Sequence, residues 1–161
     1  MKAAATEEIE AGPPPSAPAA PVQPRPGRPL TDADYERLAE FRYLLRRFLA
    51  FSEAAAGETG LTHQQHQALL MIRGFSGPQD MTVGALAERL GIRHHSAVGL
   101  VGRLHSRHLI RRHGNSADRR QVLISLTPEA EALLDGLTLA HRDELTRLAP
   151  LLSNLLRQFS G

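Results

Sequence analysis

The chain has 161 residues, 42 % hydrophobic and 22 % charged, room for one domain and a tail. It has no cysteine and no tryptophan, which excludes disulfide scaffolds, thiolate metal centres and cysteine nucleophiles and leaves an aliphatic core. Net charge is only +2, yet 18 of the 19 basic residues are arginine, always charged and capable of bidentate contacts. No apolar run approaches the roughly 20 residues of a membrane span. The N-terminus, with Glu7, Glu8 and Glu10, lacks the apolar stretch of a secretory signal. Both point to the cytoplasm and to no membrane partner.

Residues 1–30 hold eight of the eleven prolines, spaced by Ala, Gly and Ser, and carry no net charge. Such a segment buries too little apolar area to offset its ordering entropy. It predicts a disordered, polyproline-leaning tail, either a solvated extension or a ligand for a partner. From Thr31 the pattern becomes helical. Asp32 and Asp34 suit a first turn, and Leu38, Phe41, Leu45, Phe48 and Leu49 recur at helical spacing. Leu44 and Phe51 add a second stripe. A helix with two apolar faces needs two partners, so part of it is expected to meet another chain. Gly57 and Gly60 are expected to end it. Thr62 to Gln65 reads as a capping box that opens a second helix. That helix is expected to run to about Arg73, bury Leu69, Leu70 and Ile72, and stop at Gly74, before a loop over 75–80.

Thr82 can cap a short helix that ends at Gly91, with Ala87 small enough for a close helix crossing and Ile92 filling the corner. A longer helix follows, with Ala97, Leu100, Val101 and Leu104 on its inner face. Short helix, glycine turn and longer helix make a helix-turn-helix. Two β-prone runs come next, 109–113 and 121–126, joined by a polar tip rich in Gly, Asn, Ser, Asp and Arg. This is a hairpin wing. Thr127-Pro128 opens another helix to about Ala140, and Pro150 suggests a bend or restart before a last apolar helical stretch from Leu148 to Phe159. Residues 89–120 contain eight arginines and one acid, a net +7, with five histidines; the rest of the chain sums to −5. A basic footprint over a helix-turn-helix and a hairpin points to double-stranded DNA.

The ordered set resembles the MarR (multiple antibiotic resistance regulator) family. It comprises Leu86-Ala87-Glu88-Arg89-Leu90-Gly91-Ile92, His95-Ser96-Ala97-Val98, Leu100-Val101-Gly102-Arg103-Leu104, Asp118-Arg119-Arg120 and Leu126-Thr127, and the likeness covers about residues 32–160. The resemblance implies a fold that is mainly α with a small β-hairpin wing. It implies a DNA-binding lobe at about 62–126 and dimerisation helices at about 32–56 and 128–160, within a domain spanning 31–161. It also implies an obligate homodimer whose two recognition helices enter successive major grooves of a pseudo-palindrome. The chain departs from the family pattern at His108, where a glycine is usual, and at Gly99 and Gly102, where larger polar residues are common. Ala130 replaces a glycine or small residue without consequence.

The first turn of a recognition helix reaches base edges, which assigns Arg93, His94, His95, Ser96 and Gly99 to DNA, His95 and Ser96 foremost. Arg103 and Arg107, later on the helix, position phosphates or pair internally. Arg119 and Arg120 sit at the wing, one of them in the minor groove, and Asp118 braces the turn. The resemblance further implies a small aromatic or carboxylated effector, in a cleft touched by Phe41, Arg42, Leu45, His63, His66 and Leu70 and by the helix after the wing. The pairs His63/His66 and His105/His108 are spaced i, i+3, but no third ligand completes a zinc site, so they read as surface or DNA-facing histidines and no metal or other cofactor is assigned. No hydrolase, phosphate-loop or dinucleotide motif is present, and no enzymatic activity is expected. The reading is a ligand-released transcriptional repressor. The alternative is an effector-independent DNA-binding protein acting architecturally or through a protein partner.

Overall fold

The structure, a computed structural model, describes residues 29–77, 80–114 and 121–159. The proline-rich segment up to Arg28, and the wing tip from Asn115 to Arg120, lie outside the described residues. In chain order there are α1 (Asp32–Glu58), α2 (His63–Arg73), β1 (Met81–Thr82), α3 (Val83–Leu90), α4 (His94–Ser106), β2 (Ile110–Gly114), β3 (Val122–Leu126) and α5 (Pro128–Phe159). The strands form one antiparallel sheet in the order β1-β3-β2. The hairpin was legible as two strands, but β1 was not: two residues carry no periodicity. It pairs Met81 with Ile124 and Thr82 with Leu123 and so ties the entry of α3 to the hairpin.

Local chemistry sets most boundaries. The Thr62 backbone N–H donates to Gln65 Oε1 at 3.0 Å and the Gln65 N–H donates to Thr62 Oγ1 at 3.2 Å, the reciprocal pair of a capping box. Thr82 Oγ1 accepts from the Ala85 N–H and Thr127 Oγ1 from the Ala130 N–H, opening α3 and α5. At the end of α3 the chain turns left-handed at Gly91, φ 62°, and Ile92 N–H returns to the Ala87 carbonyl. The same turn closes α1 at Gly60, φ 73°, not at Gly57, which lies within the helix. It also closes α4, where the left-handed residue is His108, φ 57°, the only non-glycine with positive φ among the described residues.

Two cores result. The larger joins α2, α3, α4, the sheet and the first half of α5, around Leu69, Met81, Leu86, Leu100, Leu104, Ile110, Ile124, Leu134 and Leu137. The smaller lies between α1 and the far half of α5, with Leu44, Leu148 and Leu155 buried and Phe41, Phe48 and Leu152 packed on them. The face of α1 that turns inward is therefore 41, 44, 48, 52 and 56. Of the stripe Leu38, Phe41, Leu45, Phe48 and Leu49, Phe41 and Phe48 pack on this core, while Leu38, Leu45 and Leu49 run along its flank and are exposed. Periodicity shows two apolar faces and cannot say which one meets α5. Leu70 is also exposed rather than buried, because Leu69 and Ile72 take the inward positions of α2. α5 runs unbroken through Pro150, with neither restart nor second helix. The packing of Leu148 and Leu155 on either side of it holds the helix together across the missing N–H.

Candidate nucleic-acid interface

α4 is positioned by its buried face. Ala97, Leu100, Val101 and Leu104 are all buried against the core, as their i, i+3, i+4, i+7 spacing requires. The opposite face and the first turn are then left to solvent: Arg93, His94, His95, Ser96, Gly99 and Arg103 are exposed together. Arg103 lies back along the helix, its Nη1 3.5 Å from the point where a Cβ on Gly99 would stand. Across the crevice, β2 lines up Arg111, Arg112 and His113 on the edge of the sheet, all exposed. The Arg112 Nη2 reaches over α4 to 3.6 Å from the Cβ position of Gly102. Both glycines thus lie under guanidinium groups, and alanine would make ordinary contact at either. Among the described residues no acid forms an ion pair with Arg93, Arg103, Arg111 or Arg112. Arg93 and Arg103 on α4 and Arg112 reaching over it from β2, none with an acid partner among the described residues, build a positive field outward, while Arg111, next along the strand, leaves the other face of the sheet.

Arg107 behaves differently. Its Nη1 donates to the Gly60 carbonyl at 2.8 Å and to Gln65 Oε1 at 3.1 Å, so it fastens α4 to the turn between α1 and α2. Arg89 lies over the Phe75 ring at 5.1 Å. His113 is anchored to Asp80 at 2.8 Å, tying the hairpin edge to the residue before β1. Asp118, Arg119 and Arg120 fall outside the described residues. Arg111 and Arg112 were counted in the basic run but not assigned to the interface. The position of β2 at the edge of the sheet is what brings Arg112 beside α4, and alternation along the strand turns Arg111 to the other face.

A second concavity of about 480 Å³ opens between α1, α2 and α5. Of the residues assigned to an effector cleft, His66 and Leu70 line it; Phe41, Arg42, Leu45 and His63 do not. Its remaining wall comes from Phe48 of α1 and from Thr138, His141, Arg142, Leu145, Thr146 and Ala149 of α5. Phe48 lines it in place of Phe41 because it stands two turns further along the same face of α1, and Leu45 is turned to solvent. Sequence reasoning placed this wall only as the helix after the wing. His66, read as a surface histidine, is 4 % exposed. Burial first, then the neighbouring His141 and His63, hold its pKa below the ordinary 6.5. Among the described residues no group of three His, Cys, Asp or Glu side chains could hold a metal ion, and no helix is long and apolar enough to cross a membrane.

A model described as the MarR family matches residues 59–121. No curated protein matches the chain. Among solved structures, AbsC, a MarR family transcriptional regulator from Streptomyces coelicolor, is similar at a TM-score of 0.62 and 21 % identity, over 75 % of this chain and 81 % of that one. A complex of MepR from Staphylococcus aureus with DNA is similar at 0.60 and 18 % identity, over 82 % and 98 %. CouR from Rhodococcus jostii RHA1, bound to p-coumaroyl-CoA, is similar at 0.60 and 23 % identity, over 83 % and 92 %. Each is under 25 % identical, and what they share with this chain is the fold. From the turn after α1 to the base of the wing, residues 59–121, the chain matches the MarR family model, and its fold is similar to that of winged-helix regulators of that family.

Proposed function

We infer that the protein is a sequence-specific, DNA-binding transcriptional regulator that acts as a homodimer. The observation that carries this is the set of arginines without an acid partner among the described residues, Arg93 and Arg103 on α4 and Arg112 reaching over it from β2, beside the exposed first turn of that helix. Residues 62–126 form the DNA-binding lobe and α1 and α5 the dimerisation helices. His94, His95, Ser96 and Gly99 face base edges. Arg93 and Arg103, with Arg119 and Arg120 at the wing, neutralise phosphates or enter the minor groove, and Asp118 braces the wing. The solved DNA complex of a similar protein supports the docking mode.

The cleft between the long helices and the winged helix is the effector site of a repressor released by a small aromatic or carboxylated ligand. Its apolar floor, with Arg142 and two histidines in the wall, supports this reading, as does the acyl-CoA held by one similar protein. The test is a mobility-shift titration on the DNA upstream of its own gene and on a scrambled duplex, over a range of salt. With about three to five arginines per subunit on phosphates, log K should fall steeply against log salt. A slope near zero sinks the reading.

A further inference from the structure

Three histidines from two elements converge where the winged helix meets the long helices. His66 and His63, one turn apart on α2, each bury an Nδ1 that has no protein partner. The ring of His141, from α5, stands 4.9 Å from that of His66, centroid to centroid. His141 Nδ1 contacts the Leu137 carbonyl, which can only accept, so the proton of the neutral ring sits on Nδ1. Its Nε2 then accepts from the Ser52 hydroxyl of α1 at 2.8 Å. Phe48 and Phe51 of α1 close edge-on against the same ring, at 5.8 and 5.6 Å. The charged neighbours on α5 are Arg142, which lines the adjoining cleft, and Glu144, which is held by Arg147 at 2.6 Å. On α1, Glu53 beside Ser52 is exposed. The groups that act on His66 electrostatically, His141 and His63, both oppose a positive charge on it.

We propose that the His66–His141 pair is a proton-responsive joint: neutral, it holds α2 against α1 and α5, and protonated in mildly acidic medium it drives the winged helix away from the long helices. The pair is well packed only when uncharged. A proton on His66 has no acceptor for its Nδ1–H in the present packing, and burying an unpaired cation is costly. Relief comes by moving His66 towards the adjoining cleft, which it already lines. α2 cannot move alone, because Ala68, Leu69 and Ile72 are embedded in the core it shares with α3, α4 and the first half of α5, so the shift is passed to the winged helix about that shared core. The consequence for DNA rests on the function proposed above: acid should shift the spacing of the two recognition helices and weaken operator binding. The folded state takes up the proton less readily than the unfolded chain. Stability from this pair is therefore complete above about pH 6.5 and is lost as pH falls below it.

The experiment compares the full chain with His66→Gln, His66→Met and His141→Gln. Histidine Cε1–H titrations by NMR, melting temperatures at pH 7.5 and 5.5, and DNA affinity at the same two values are measured. His66 should titrate below 6.5 and move up towards it in His141→Gln. The fall in melting temperature on acidification should be smaller in both His66 variants than in the parent. The parent's affinity relative to His66→Gln should drop by at least about threefold between pH 7.5 and 5.5. The DNA face is the same in both proteins, so its own response to pH cancels in that ratio. A His66 midpoint at or above 6.5, equal losses of melting temperature, or an unchanged affinity ratio in proteins that do bind DNA would each overturn the joint. If no form binds DNA at either pH, it is the regulator function that falls, and the titration and melting curves alone decide the joint.

Discussion

His108 shows how one side chain can be tolerated where another is preferred. The closing turn of α4 sends the Leu109 N–H to the Leu104 carbonyl and the His108 N–H to the His105 carbonyl, and it requires a left-handed residue between helix and strand. Histidine adopts that region at a cost, and a β-branched side chain pays more. His108→Gly should raise the unfolding free energy by up to about 1 kcal/mol, while His108→Val should lower it by about 1–2 kcal/mol. Denaturant midpoints for the two variants decide this, and a more stable valine variant would show that the turn is not held left-handed. The departure at His108 was visible in the sequence because a glycine is expected there. The contacts of Arg107 were not, because its partners, Gly60 and Gln65, are more than 40 residues away in the chain. Arg107→Ala should therefore cost stability, about 1 kcal/mol, with little change in DNA affinity. Ser96→Ala and His95→Ala should do the reverse. Each should lose about 1–3 kcal/mol of discrimination between operator and scrambled duplex with stability unchanged. Full discrimination in both would move base readout elsewhere on α4.

At the scale of elements, caps and turn residues were legible, since Thr62, Thr82, Gly91 and Thr127 act on neighbours within a few residues. What needed the fold was the choice between equivalent local patterns. α1 offers two apolar stripes, and only the packing of α5 selects Leu44 over Leu45. Pro150 offers a break, and only the burial of Leu148 and Leu155 against α1 keeps the helix running through it. That continuity carries a testable strain. Proline in a helix interior costs about 3 kcal/mol relative to alanine. Pro150 is exposed, so replacing it removes no buried contact. Pro150→Ala should thus stabilise the chain by about 1–3 kcal/mol, read as a shift in denaturant midpoint without a change in its slope. A destabilised variant would mean that the proline sets a bend on which the packing of α1 and α5 depends.

For the whole molecule, the described chain leaves a large apolar surface on the outer sides of its two longest helices. Leu38, Leu45 and Leu49 of α1 and Leu151, Leu156 and Phe159 of α5 are all between 41 % and 53 % exposed. Scattered exposed leucines are ordinary, but a stripe along α1 beside further exposed large apolar side chains at the end of the neighbouring α5 is not. The charge is segregated too, with the excess of arginine on the winged helix and the rest of the chain net negative, so the apolar helices are not the face turned to a polyanion. A second copy covering these stripes would place two copies of α4 in symmetric positions, the arrangement a pseudo-palindromic site requires. Removing residues 148–161 is a blunt test, because Leu148 and Leu155 also belong to the small core; an unfolded or aggregated product is expected. The sharper test leaves that core intact. Leu49→Glu with Leu156→Glu places charges only on the outer stripes, so each chain should keep its helical content. Light scattering should give twice the chain mass of 17.6 kDa for the parent and the single mass for the double variant. Operator affinity should collapse with dimerisation, while weak, salt-sensitive binding to any duplex persists, because the arginine face of each lobe is untouched. A parent protein that runs as a monomer, or a double variant that dimerises as well as the parent, would place the interface elsewhere.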